Sequence, residues 1–111
     1  MPELPEVETV RSGLSRSWKG RRIDGVDLRR ESLRFPFPKD FEKRVIGRTI
    51  CEIRRRAKYL LIDLDDGNVI ISHLGMSGKW TLDASESDGK HDHVVLLLDD
   101  GSISVYNDPR R

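Results

Sequence analysis

Three features of these 111 residues predict an α+β fold, mostly β, in which an antiparallel β-sandwich is flanked by two helices. Helical spacing of apolar residues is confined to two segments, the other apolar residues alternate with a period of two, and two Asp-Gly pairs separate apolar runs as hairpin turns do. Residues 5–18 form the first helix. Pro5 suits its opening turn, Val7, Val10, Leu14 and Trp18 recur on one face, and Gly20 stops it. That apolar stripe requires a sheet to pack on. Residues 21–30 give a strand through Ile23, Val26 and Leu28, and Phe35-Pro36-Phe37-Pro38 interrupts it, because neither proline can donate to a ladder. Pro38 opens a short second helix in which Phe41 and Val45 share a face before Gly47 ends the run. From Thr49 the pattern is β. Ile50 and Ile53, then Leu60, Ile62 and Leu64, lead to a two-residue hairpin at Asp66-Gly67 and on to Val69, Ile70 and Ile71. A second hairpin at Asp100-Gly101 joins residues 94–98 to 103–106, and the polar stretch 83–90 before it reads as a mobile loop.

Bulk properties narrow the function classes. A chain of this length makes one domain, 1–111, and can bury roughly two-thirds of its unfolded surface, so it needs no staple. The single Cys51 has no partner for an internal disulfide, which fits a reducing compartment, and no apolar run approaches the roughly 18 residues of a membrane span. A soluble, cytoplasmic, monomeric protein is therefore expected, with no membrane partner. The net charge of +1 conceals a split: residues 1–58 carry 16 Lys and Arg against 9 Asp and Glu, whereas residues 59–111 carry 4 against 10. One face would attract phosphate while the other stays acidic.

The opening Met1-Pro2-Glu3-Leu4-Pro5-Glu6-Val7-Glu8 carries the sharpest chemistry. Removal of Met1 leaves a secondary amine with a carboxylate beside it. An α-amino group has a pKa of about 8 against about 10.4 for lysine, so far more of it is free base at neutral pH. Condensed with a sugar carbon, a secondary amine gives a cationic iminium, an electron sink for elimination. Read conservatively, Pro and Glu are simply good first-turn residues, and that reading suffices for Glu6 and Glu8. Glu3 is the one set aside from it as a candidate acid, placed to protonate a ring oxygen. Lys58 stands where Arg54-Arg55-Arg56 meets an apolar strand, either on the strand face of Leu60, Ile62 and Leu64 or at its lip, and the three arginines are either an electrostatic footprint or a solvated face. Met76, between Gly75 and Gly78, is poorly explained as core, because the glycines give it a flexible, exposed setting. His91 and His93 would share a strand face, a geometry found in metal sites and in phosphate contacts alike. A metal would need Cys51 or His73 to converge on them, and none is expected.

The opening residues 1–10, Arg55-Arg56-Ala57-Lys58-Tyr59-Leu60-Leu61, His73-Leu74-Gly75-Met76-Ser77-Gly78, Lys90-His91-Asp92-His93 and Asp108-Pro109-Arg110-Arg111 together resemble formamidopyrimidine-DNA glycosylase, and they occur in that family's order. The related endonuclease VIII group shares Pro2 and Glu3 but usually has glycine where Leu4 stands, so the resemblance favours the oxidised-purine branch. It implies a DNA glycosylase and abasic-site lyase, with Pro2 as nucleophile, Glu3 as acid, Lys58 as proton donor in β-elimination, Met76 and Arg110 as fillers of the opened stack, and His91 as a DNA contact, His93 supporting the sheet. The implied partner is double-stranded DNA carrying an oxidised purine or an abasic site. The family continues into a helix-two-turn-helix domain and usually a zinc finger, absent from this sequence, so no cofactor is expected in these residues. Two other classes stay open: a catalytically silent module that binds damaged DNA, and an acidic protein-interaction domain, which salt-dependent binding to an abasic duplex would separate from the rest.

Overall fold

The computed structural model describes residues 4–28, 40–74, 78–82 and 92–108, without the side chains of Leu4 and Asp92. Helix α1 spans Leu4–Trp18 and α2 spans Phe41–Val45. Seven strands accompany them among the described residues: β1 Ile23–Leu28, β2 Ile50–Arg56, β3 Tyr59–Leu64, β4 Val69–His73, β5 Lys79–Thr81, β6 Asp92–Leu98 and β7 Ile103–Asn107. They form two antiparallel sheets, one ordered β1-β6-β7-β5 and the other β2-β3-β4. The expected α+β, mostly β architecture is therefore the observed one.

The stripe on α1 does what its spacing requires. Val7, Leu14 and Trp18 are buried and join Ile50, Ile53, Leu60, Ile62 and Leu64 of the three-stranded sheet and Val94, Leu96, Leu98 and Tyr106 of the four-stranded one in a single core. Burying each such aliphatic side chain contributes roughly 1.5–3 kcal/mol. Trp18 also needs a partner for its ring N–H, and Nε1 donates to Ser104 Oγ on β7 at 2.9 Å in the buried interior. Gly20, at φ 84°, closes the helix in the left-handed conformation that glycine adopts without strain. The next residues stitch the two sheets together: Gly20 N–H donates to Ile50 O, Ile50 N–H to Arg21 O and Ile23 N–H to Arg48 O, all at 2.8–2.9 Å.

Several details depart from simple alternation. Ile50 and Ile53 are both buried although three apart, because a register shift between Ile50 and Glu52 inserts an extra residue and reverses the faces. The same device in β6, between Asp92 and Val94, buries His93 beside Val94. The two hairpins expected at Asp-Gly pairs are present but have three-residue loops. Gly67 N–H donates to Leu64 O and Leu64 N–H to Asn68 O, and Gly101 and Leu98 repeat the arrangement with Leu98 O and Ser102 O. Glycine takes the left-handed position in each (φ 89° and 85°), and the preceding Asp accepts from the N–H two residues on, as Asx turns do. β5 was not foreseen. The second helix starts at Phe41 after Asp40, while Pro38 and the polar stretch 83–90 lie outside the described residues.

Candidate active site at the β2–β3 turn

Of the six residues singled out for function, the structure describes Lys58 alone. Pro2, Glu3, Met76, His91 and Arg110 lie outside the described residues, although each adjoins a described element: Pro2 and Glu3 precede α1, Met76 lies between Leu74 and Gly78, His91 precedes β6, and Arg110 follows Asp108.

Arg56 pairs with Tyr59 across β2 and β3, which makes Ala57-Lys58 a two-residue turn and settles the choice for Lys58 in favour of the lip. Ala57 is left-handed (φ 53°), a conformation that strains any residue with a Cβ. Such strain persists only where the surroundings enforce it, and here Arg55 Nη1 donates to Ala57 O at 3.0 Å. Lys58 is half-buried, with no carboxylate in ion-pair contact among the described residues.

The register carries this turn to the next motif. Tyr59 faces His73 across β3 and β4, with ring centroids 4.6 Å apart. His73 was read only within its motif and as a remote metal candidate; its place beside Lys58 follows from the pairing of β3 with β4, a signal that a single strand's pattern does not contain. Beyond it, Gly78 N–H donates to Leu74 O at 2.7 Å, pinching together the two ends of the segment that contains Met76, and Tyr106 Oη donates to His73 O at 3.1 Å. Gly78 has no room for a side chain, since a Cβ would collide with Tyr106 Oη and Leu74 O. Lys58 and the root of the Met76 segment thus lie side by side at one end of the three-stranded sheet. On the other sheet, His93 is fully buried, and its Nε2 is 2.9 Å from the carbonyl oxygen of Asp108, the residue two before Arg110. Cys51, exposed on β2, and buried His93 belong to different sheets, and among the described residues no three potential metal ligands cluster.

The helix start is tied to the same end. Glu8 accepts from Arg11 Nε and Nη2 at 2.9 and 2.7 Å and from Arg55 Nε at 3.2 Å, while Arg11 Nη1 reaches Ile53 O. The hydrogen bond from Arg11, and then that from Arg55, holds the Glu8 carboxyl below its ordinary range. These residues, with Glu52, Arg54, Arg56 and Leu61, line an open groove of about 680 Å³ along α1 and β2 that does not include Lys58. A smaller hollow of about 300 Å³, bordered by Arg16, Lys19 and Arg21, lies at the far end of α1.

Three ion pairs among the described residues join the basic first half to the acidic second half: Arg21 pairs with Asp99, Arg48 with Asp65, and Arg54 grips Asp63 through two bonds of 2.6 and 2.7 Å. Within the arginine triplet, Arg54 and Arg55 are matched by carboxylates, and Arg56 is exposed with no carboxylate partner among the described residues.

The sequence profile of the formamidopyrimidine-DNA glycosylase N-terminal domain matches residues 1–111. The chain belongs to the formamidopyrimidine-DNA glycosylase family. The formamidopyrimidine-DNA glycosylases of Rhizobium etli (strain ATCC 51251) and Methylocella silvestris are 53% and 54% identical to it, each alignment covering 100% of this chain and 43% and 42% of the relative. The chain thus spans less than half the length of the curated relatives it matches. Among solved structures, the Lactococcus lactis Fpg bound to FAPY-dG-containing DNA superimposes with a TM-score of 0.87 at 35% identity, covering 97% of this chain and 41% of that one. The complex of the same enzyme with abasic-site DNA gives 0.88 at 35% identity, over 98% and 41%. The neighbours are thus complexes with damaged DNA. No helix among the described residues is long and apolar enough to cross a membrane.

Proposed function

We propose that these residues are the catalytic first part of a base-excision repair enzyme, a DNA glycosylase and abasic-site lyase acting on oxidised purines such as formamidopyrimidines and 8-oxoguanine. Once Met1 is removed, the Pro2 nitrogen attacks the sugar C1′ of an extruded nucleotide, the glycosidic bond breaks, and the base departs with the bonding electrons and takes up a proton. Glu3 protonates the ring oxygen, so the sugar opens to an iminium. Loss of a C2′ proton then expels the 3′ phosphate and a second elimination expels the 5′ phosphate, with Lys58 moving protons. Met76 and Arg110 fill the space left in the stack, and His91 contacts the DNA. None of these steps needs a redox cofactor or a metal from this chain, and the family's zinc belongs to the part not spanned here. The protein acts as a cytoplasmic monomer on duplex DNA.

The observation that supports this reading best is the position of Lys58, a half-buried residue in a strained turn beside the root of the Met76 segment, where the carbonyl of the preceding Ala57 is hydrogen-bonded, through Arg55 and Glu8, to the helix that follows Pro2 and Glu3. The test uses the full-length protein, meaning these residues followed by the part of the relatives they do not span. Borohydride reduction with an abasic oligonucleotide is expected to give a covalent adduct that maps to residue 2. An adduct mapping to Lys58, or one that survives retention of Met1, would overturn the assignment.

A second reading, a damaged-DNA-binding module that turns nothing over, applies to residues 1–111 taken alone. The engagement of Arg21, Arg48 and Arg54 by carboxylates favours weak, salt-sensitive binding, because affinity rises steeply with the number of phosphates contacted. Nicking of an abasic oligonucleotide by the 111-residue chain, at a rate close to that of the full-length protein, would exclude it.

A further inference from the structure

We propose that Glu8, Arg11 and Arg55 form a positioning brace that fixes the distance between the start of α1 and the peptide carrying Lys58. This rests on the assignment of Pro2 and Lys58 above and adds residues to which that assignment gives no role.

Both oxygens of the Glu8 carboxylate are engaged. Oε2 accepts the fork of Arg11, whose Nη1 also donates to Ile53 O in β2 at 3.3 Å. Oε1 accepts from Arg55 Nε, whose Nη1 donates to Ala57 O. That carbonyl belongs to the peptide linking Ala57 to Lys58, so the grip falls on the plane from which the lysine departs. Ala57 is left-handed and does not favour that conformation unaided. A continuous set of charge-assisted hydrogen bonds therefore runs from the second turn of α1, through one carboxylate, to a strand carbonyl and to the strained turn. The planar guanidinium of Arg55 suits this because its nitrogens reach two acceptors in fixed relation, which a single ammonium cannot reproduce.

The side chains involved are 27% (Arg11), 46% (Glu8) and 32% (Arg55) exposed. Exposed ion pairs contribute little to stability. Geometry is a different matter, since a misplacement of about 1 Å between reacting groups costs up to roughly a hundredfold in rate. A brace of this kind shows itself by a loss of rate out of proportion to any loss of stability, without a matching loss of DNA affinity.

The experiment measures single-turnover borohydride trapping on an abasic duplex, its KM, and the melting temperature, for the full-length protein and for Glu8→Gln, Arg55→Ala and Arg55→Lys. The rate is expected to fall about tenfold in Arg55→Ala, with KM changed less than about twofold and the melting temperature within about 3 °C. Arg55→Lys keeps the charge but loses the span, and is expected to fall as far; Glu8→Gln, which weakens both arms at once, is expected to behave likewise. Unchanged rates in Arg55→Ala and Glu8→Gln, full rescue by Arg55→Lys, or a rate loss matched by a large fall in melting temperature would each overturn the brace. A parent protein that forms no adduct at Pro2 would instead overturn the functional assignment on which the brace rests, so the two failures are distinguishable.

Discussion

Alanine introduced at two glycines of this chain should act in opposite directions, and the difference can be worked from the structure. At Gly78 an added Cβ would collide with the Tyr106 hydroxyl oxygen and the Leu74 carbonyl oxygen, and would stand 2.8 Å from Tyr106 Cζ. None of these can move freely. The Leu74 carbonyl accepts the N–H of Gly78 itself, and Tyr106 is 5% exposed with its hydroxyl bound to His73 O. Overpacking a fixed site costs about 1–3 kcal/mol, and displacing the tyrosine forfeits about 1 kcal/mol more for its hydrogen bond. Gly78→Ala should therefore destabilise the chain by about 2–4 kcal/mol, a fall of at least about 8 °C in melting temperature for a domain of this size. Gly13, inside α1, has no atom within 4 Å of where a Cβ would stand, so Gly13→Ala should stabilise by up to about 1 kcal/mol through helix propensity alone. Urea unfolding of both variants, and of Gly78→Ala in a Tyr106→Phe background, is the assay. Removing the hydroxyl should recover about 1 kcal/mol of the cost. A Gly78→Ala variant within about 0.5 kcal/mol of the parent would refute the reasoning, since that difference is typical of an unconstrained surface site.

Three further outcomes follow from the described contacts. Ser104→Ala should cost about 1–3 kcal/mol in urea unfolding, because it strands the buried Trp18 N–H without an acceptor. The Asp63 carboxyl lies below its ordinary value of 3.8 because of Arg54, and Glu8 and Glu52 lie below 4.5 because of Arg11 and Lys19. In each case the unfolded chain binds the proton more tightly. The stabilisation is thus complete above these ordinary values and is lost as pH falls through the lower folded ones; denaturation scans should show the loss beginning below about pH 4.5, and Asp63→Asn should remove part of it. In the full-length protein, Arg56→Ala should reduce the slope of log affinity against log salt by about 0.9, equally for damaged and intact duplex, and an unchanged slope would show that Arg56 contacts no phosphate.

What the sequence disclosed, and what it withheld, follows one physical line. Local features were legible: the stripe Val7, Val10, Leu14 and Trp18, the stop at Gly20, and both Asp-Gly turns. What escaped depends on a neighbouring strand. The extra residue in β2 makes Ile50 and Ile53 share a face that strict alternation denies them, and the one in β6 turns His93 into the interior. β5, three residues between a glycine and a polar stretch, is too short to show a period and exists because Trp80 pairs with Tyr106. Ion pairs that join the two charge halves, such as Arg21 with Asp99, span most of the chain and leave no local signal. For the candidate site, the motifs marked Lys58 by resemblance, whereas its position in a turn, its tie to α1 and its adjacency to His73 required the fold. Glu8 was passed over because an acidic residue near a helix start already has a local explanation.

The aromatic cluster at the meeting of helix and sheets makes the protein its own spectroscopic probe. Both tryptophans of these 111 residues take part in one contact, Trp18 edge-on to Trp80 with centroids 4.9 Å apart, and Trp80 lies 5.3 Å from Tyr106. Trp80 is half-buried, two residues after Gly78, and its ring N–H reaches Ser72 Oγ at 3.2 Å, beside His73. Tryptophan emission from these residues therefore has a single address, next to the root of the segment containing Met76. The paired indoles should also give a near-ultraviolet circular dichroism band that is lost with their edge-on geometry. If the proposed function holds, stopped-flow emission should follow DNA engagement without a dye, a labelled oligonucleotide or an engineered residue.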